Sequence, residues 1–172
     1  MSTNPKRIII IGSAGSGKST LAISLQEKLQ IPLIHLDKYY WQSGWIVRQA
    51  SEWEQMQKGF IEGDEWIIDG NYGKSLEMRM NASTHIIFLD LNRFVCLLSI
   101  IKRRIQNHGK TRIDMQEGCT EKIDWEFIKW VWNFPKRSRP NIVSLLNAHQ
   151  DKKIITIKSR KETKKFLITT IL

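Results

Sequence analysis

The sequence predicts an α/β domain built on a mostly parallel sheet with helices packed on both faces. Two observations carry this. Apolar β-branched runs alternate with helix-period segments along most of the chain. A glycine-rich G-x-x-x-x-G-K-S loop, Gly12 to Ser19, lies between the first run and the first helical stripe. With 172 residues, 41% apolar and 26% charged, the chain has the size and composition of one globular domain, expected to span 1–172.

Arg7–Ile11 is a continuous β-branched run ending in glycine, the pattern of a strand buried on both faces. Ser19–Leu29 places Leu21, Leu25 and Leu29 four apart, which is a helical stripe. Pro32–Leu36 is a second strand. Residues 38–64 are mixed and tryptophan-rich, with a helix expected from Glu52 to Ile61. Trp66–Ile68 is a third strand closed by Asp69-Gly70, and His85–Leu91 a fourth. Arg93–Ile105 is an apolar helix with a basic end. Residues 106–120 lose all periodicity and read as a loop. The pattern then predicts helices over Asp124–Trp132 and Lys136–His149, a fifth strand over Lys153–Ile157, and a last helix over Arg160–Ile168.

Several classes are set aside. No apolar run approaches the roughly 18 residues of a membrane span, and the four isoleucines near the N-terminus are too few for a secretion signal. Two cysteines, Cys96 and Cys119, make neither a disulfide framework nor a zinc site, so a reducing, cytoplasmic setting is expected. The net charge of +10 sits wholly in the second half: residues 1–86 carry 9 basic and 9 acidic side chains, residues 87–172 carry 18 and 8. That asymmetry points to a polyanionic ligand, either a phosphate-rich small molecule or a nucleic acid.

The glycine-rich loop has a definite chemistry. Glycines let successive backbone N–H groups turn inward as an anion nest, and the helix N-terminus adds partial positive charge. Gly12, Ser13, Ala14, Gly15, Ser16 and Gly17 would cradle the phosphates of a nucleoside triphosphate, ATP or GTP. Lys18 reaches the β- and γ-phosphates, Ser19 ligates Mg²⁺, and Thr20 meets the α-phosphate. A second carboxylate is needed on the metal side, and Asp69 and Asp90, each ending a strand, both qualify. Asp37, beyond the second strand, stands where a carboxylate can take a proton from a substrate hydroxyl.

The segments RIIIIGSAGSGKSTLA, IPLIHLDKYYWQSGW, EWIIDGNYG, IIFLDLNRFVCLLSIIKRR, GKTRIDMQEGC, DWEFIKWVWNF and KRSRP follow one another as in the bacterial DNA topology modulation protein family. That family in turn resembles adenylate kinase and shikimate kinase-like P-loop small-molecule kinases. The resemblance covers nearly the whole chain. It implies a P-loop NTPase fold with a five-stranded parallel sheet of order 2-3-1-4-5, an acceptor-binding insert at about 38–64 and a lid at about 106–135. It also implies that Asp69 is the metal-side carboxylate, that Arg103 or Arg104 ends the helix before the lid, and that Arg112, Arg137 and Arg139 clamp the transferring phosphoryl group.

The chain departs from the adenylate kinase pattern in one segment. The arginine that holds the AMP phosphate is missing from Asp69-Gly70-Asn71-Tyr72-Gly73, and Arg79 is the candidate replacement. The expected activity is therefore phosphoryl transfer to a small-molecule or nucleotide acceptor, a hydroxylated small molecule or nucleoside-type compound being favoured over AMP. The alternative is a nucleic-acid-associated NTP-binding protein that uses its basic half on DNA. Trp41 and Trp45, with Tyr39 and Tyr40, could stack on a base or sugar in the insert.

Overall fold

A computed structural model describes residues 5–106, 113–119 and 124–169. β1 (Arg7–Gly12) leads through the glycine-rich loop into α1 (Lys18–Leu29), followed by β2 (Leu33–His35) and the short α2 (Leu36–Tyr40). A hairpin of β3 (Trp41–Gln42) and β4 (Ile46–Val47) precedes α3 (Ala50–Phe60). Next come β5 (Trp66–Asp69), a 3₁₀ turn at Gly73–Ser75, α4 (Leu76–Ala82), β6 (His85–Leu89) and α5 (Arg93–Gln106). The chain closes with α6 (Trp125–Trp132), α7 (Phe134–Arg137), α8 (Arg139–Ala148), β7 (Lys153–Ile157) and α9 (Arg160–Thr169).

The five long strands form one parallel sheet in the order β2-β5-β1-β6-β7. Counting only the strands of this sheet, that is the expected 2-3-1-4-5. β1 is central, and its four isoleucines are wholly buried because alternate side chains enter two different cores. Ile8 and Ile10 pack with Leu21, Leu25, Cys96, Ile100 and Val131, under α1, α5 and α6. Ile9 and Ile11 pack with Trp53, Leu76, Met80, Phe134, Ile142 and Leu146, under α3, α4, α7 and α8. The result is three layers, helix–sheet–helix.

The structure departs from the sequence expectation in several places. The single helix expected over Lys136–His149 is two, α7 and α8, with a boundary at Ser138. Pro135 and Pro140 each sit in a first turn, where a missing N–H costs nothing, so each proline starts a helix and neither interrupts one. α4 has no counterpart in the pattern, since seven residues are too few to show a period. The insert contains a hairpin of two-residue strands that alternation cannot reveal. No described helix is long and apolar enough to cross a membrane.

Candidate active site

The carboxyl ends of the parallel strands open into a cleft of about 1370 Å³. Lys18, Ser19, Asp37, Asp69, Arg103 and Arg137 all line it, so the fold gathers residues that the sequence separates by more than a hundred positions. Thr20 lies on the same wall, but Arg139 does not.

The phosphate loop begins where β1 ends. Asn71 brackets its first residue: Gly12 N donates to Asn71 Oδ1 (2.9 Å), and Asn71 Nδ2 donates to Gly12 O (2.7 Å). The Asn71 amide thus carries the β1–β5 contact two residues past Asp69, the last strand residue. Inside the loop, Lys18 Nζ donates to Ser13 O at 3.0 Å, which stretches the lysine back along the nest. Arg160, at the start of α9, donates to Gly15 O (2.8 Å) and Ser99 Oγ (2.9 Å) and lines the cleft beside the loop. The sequence reading missed Arg160. Its position, three residues past the fifth strand at the carboxyl edge of the sheet, was the available signal.

Asp69, the last residue of β5, is buried, and one of its oxygens is engaged: His35 Nδ1 lies 2.9 Å from Oδ2. Oδ1 has no hydrogen-bond partner among the described residues. Asp69 and Ser19 both line the cleft, and a buried carboxylate oxygen without a partner suits a hydrated divalent cation, so the two fit a Mg²⁺ site on donor chemistry. Asp90 has no such capacity. Arg139 Nε and Nη2 grip both its oxygens, at 2.8–3.1 Å, beside a separate recess of about 410 Å³. The same pairing corrects the clamp role expected of Arg139: the carboxylate holds its guanidinium away from the main cleft and raises its pKa further. Arg137 does face the cleft, its guanidinium 4.8 Å from the Trp130 ring centroid. Arg112 lies outside the described residues.

Asp37, which also lines the cleft, sits in the first turn of α2, and Tyr72 Oη donates to its Oδ1 at 2.6 Å. Burial and the neighbouring carboxylate push the Tyr72 hydroxyl pKa well above the usual phenol range, so Tyr72 remains a donor. Tyr40, Trp41 and Trp45 line the cleft as well, with Trp41 and Trp45 edge-to-face at 5.3 Å.

Arg79 is not the replacement anion contact. It is fully buried and donates to three consecutive carbonyls, those of Gly70 (2.9 Å), Asn71 and Tyr72 (3.1 Å). Burial lowers its pKa to about 9, and no face of it is offered to a ligand. Its work is to hold the 70–72 loop.

The described part of the 106–135 segment meets the insert. Gly44 N donates to Gly118 O (3.4 Å), and the buried Cys119 donates its thiol to Gln42 O at 3.2 Å. Residues 113–119 therefore cap the β3–β4 hairpin.

No family model and no curated protein matches the sequence. Solved structures do. Shikimate kinase from Bacteroides thetaiotaomicron superposes with a TM-score of 0.56 at 18% identity, over 95% of this chain and 94% of that one. A candidate kinase from Chloroflexus aurantiacus gives 0.58 at 18% identity over 96% of each chain. Gluconokinase from Sinorhizobium meliloti gives 0.50 at 13% identity, over 96% and 93%. The fold is that of the P-loop small-molecule kinases.

Proposed function

We propose that the protein is a nucleoside-triphosphate-dependent kinase that transfers the γ-phosphoryl group of ATP, or GTP, to a hydroxyl of a small molecule. One observation carries the reading: the phosphate loop, the Asp37 carboxylate and the guanidinium-bearing residues Arg103, Arg137 and Arg160 all line one cleft. Gly12 to Gly17 bind the phosphates through backbone N–H groups. Lys18 neutralises the β- and γ-phosphates, and Thr20 meets the α-phosphate. Ser19 and Asp69 hold Mg²⁺, which when bound offsets phosphate charge. Asp37, held by Tyr72, orients the acceptor hydroxyl and accepts its proton as the phosphoryl group arrives in line. Arg103 and Arg137 stabilise charge spreading over the transferred group, and Arg112 is proposed to join them from the lid.

The domain is read as one unit with an acceptor insert at about 38–64 and a lid at about 106–135. AMP is a poor candidate acceptor, because Arg79 is spent on carbonyls and Asp37 would repel a phosphate placed against it. The reading is compatible with the resemblance to the DNA topology modulation protein family, whose name denotes an effect and no chemistry. It also accounts for part of the basic excess, since Arg103, Arg137 and Arg160 line the cleft.

The test is calorimetry with Mg²⁺ and a non-hydrolysable ATP analogue, followed by a coupled assay over sugars, hydroxy acids, nucleosides and AMP. Wild type should bind the analogue, Lys18→Ala should lose binding without losing its fold, and turnover should appear with a hydroxylic acceptor. Equal binding by the variant, or turnover on AMP near 10 s⁻¹, the median for enzymes, would overturn the reading.

A further inference from the structure

We infer that His35 is a positioning residue for the cation site: it fixes the Asp69 carboxylate so that its second oxygen is presented to the cleft. The inference rests on the kinase reading, because that reading places Mg²⁺ at Ser19 and Asp69.

The geometry begins with the sheet. β2 and β5 are adjacent and parallel, and His35 is the register partner of Asp69. Each is the last residue of its strand, so both side chains emerge at the carboxyl edge where the cleft opens. Both are buried, His35 at 9% and Asp69 at 5% exposure, and water has little share in their contact. His35 Nδ1 donates to Asp69 Oδ2 at 2.9 Å. An Asp side chain has two soft torsions, and one hydrogen bond to one oxygen removes the freedom of the other. Oδ1 is left buried, without a partner among the described residues. A buried oxygen left in that state costs stability unless something fills it. A metal-bound water in the cleft would do so.

The contrast with Asp90 shows why a single ring N–H matters. Arg139 presents its fork to Asp90 and engages both oxygens, so neither is left without a partner. Asp69 meets one N–H donor and keeps one oxygen free. Two strand-end carboxylates of similar sequence context thus differ in function through the side chain opposite each. Partners of this kind behind a metal-side group typically contribute 10–100-fold to metal affinity. His35 itself does not line the cleft, so it acts through Asp69 and not on a ligand.

The test measures metal affinity, not turnover. Mn²⁺ binding to the full chain saturated with a non-hydrolysable ATP analogue is followed by electron paramagnetic resonance of the free ion. Analogue affinity in EDTA and thermal melting are recorded in parallel. His35→Leu should weaken Mn²⁺ about 10–100-fold while leaving metal-free analogue binding unchanged. His35→Asn carries an N–H where Nδ1 stood and should return within a fewfold of wild type, whereas His35→Gln, whose amide reaches too far, should not. If His35→Leu does not fold, the Asn and Gln variants decide alone, and equal Mn²⁺ affinity in those two overturns the inference. So does Mn²⁺ affinity of a folded His35→Leu within twofold of wild type. A wild-type chain that binds no nucleotide overturns the kinase reading and this inference together; wild-type loading with an indifferent His35→Leu overturns this inference alone.

Discussion

The Tyr72 hydroxyl donates a 2.6 Å hydrogen bond to Asp37 Oδ1, tying the loop after β5 to the first turn of α2. The same loop carries Asn71, which brackets Gly12 of the phosphate loop, and it follows directly on Asp69, the last residue of β5. One short segment, 69–72, therefore links the phosphate loop to Asp37 through hydrogen bonds of Asn71 and Tyr72.

Loss of the Tyr72 hydroxyl should be felt at the acceptor and not at the nucleotide. A hydrogen bond to a charged partner contributes roughly 1.5–3 kcal/mol, so Tyr72→Phe is expected to lower kcat about tenfold with the KM for ATP unchanged. Asp37→Asn should cost more, about 10²–10⁴-fold, the usual worth of a positioned general base. Initial rates over both substrates check the split; a Tyr72→Phe effect confined to the ATP KM would contradict the assignment.

Arg79 should behave as a structural residue. Removing it leaves the Gly70, Asn71 and Tyr72 carbonyls without their donor inside the protein. Arg79→Met is expected to cost at least 3 kcal/mol in urea unfolding, the scale for breaking a buried charged network. Arg79→Lys, a point charge without the fork, should recover little of it. AMP should not shift the melting temperature of wild type. A stable Arg79→Met with altered acceptor KM would return Arg79 to the binding site.

Much of this was legible from local signals. The Gly12–Ser19 loop announces itself because phosphate binding demands a fixed spacing, and the four-isoleucine strand before it because a central parallel strand is apolar throughout. The choice between Asp69 and Asp90 was not legible. Both end strands, and what separates them is the residue each meets across space: His35, 34 positions away, and Arg139, 49 positions away. Arg79 misled for the same reason, since burial under the loop it holds is a tertiary property. The tryptophan-rich insert could be recognised as a unit, but its hairpin of two-residue strands is shorter than any period.

Gly15 should be the least replaceable residue of the phosphate loop. Its φ is +74°, and a Cβ there would run into the backbone carbonyl of Cys96 on α5. Gly44 has nearly the same φ, +77°, and open space around it. Gly44→Ala should therefore cost about 1 kcal/mol, the left-handed penalty alone. Gly15→Ala should cost clearly more and abolish nucleotide binding. Denaturant midpoints of the two variants, side by side, measure the difference.

Acid should destabilise the protein partly through His85. Burial, with Lys153 and Lys6 nearby, lowers the His85 pKa from its ordinary 6.5. The unfolded chain then holds more protons than the folded one once the pH drops below 6.5, so stability falls from there down to the folded pKa. His85→Asn removes this component. Its denaturation midpoint should decline less steeply than that of wild type between pH 6.5 and 5, and parallel slopes would show that His85 does not contribute.

Closure over the cleft should be readable from one thiol. Cys119 is 1% exposed, and it is covered because residues 113–119 sit on the β3–β4 hairpin, with Cys119 donating to Gln42 and Gly118 accepting from Gly44. A reagent reaches that sulfur only when this segment lifts from the hairpin. Cys96, buried under α1 with its thiol pKa raised by burial, is an internal control that should stay unreactive while the fold is intact. Transfer of a phosphoryl group in open water would leak to hydrolysis, so a kinase cleft closes before chemistry. The arginines expected to stabilise the transferred group flank this segment in the chain, Arg103 before it and Arg137 after it, and both line the cleft. Nucleotide that engages them should hold the segment down. The rate of Cys119 alkylation should then fall several-fold with Mg²⁺ and a non-hydrolysable ATP analogue, and hydrogen exchange over 113–119 and 41–47 should slow in step, because the two segments share their hydrogen bonds. Arg137→Ala should keep analogue binding but lose most of that protection. Cys119 labelling at the same rate with and without nucleotide would mean that residues 113–119 are a fixed wall of the cleft and do not gate it.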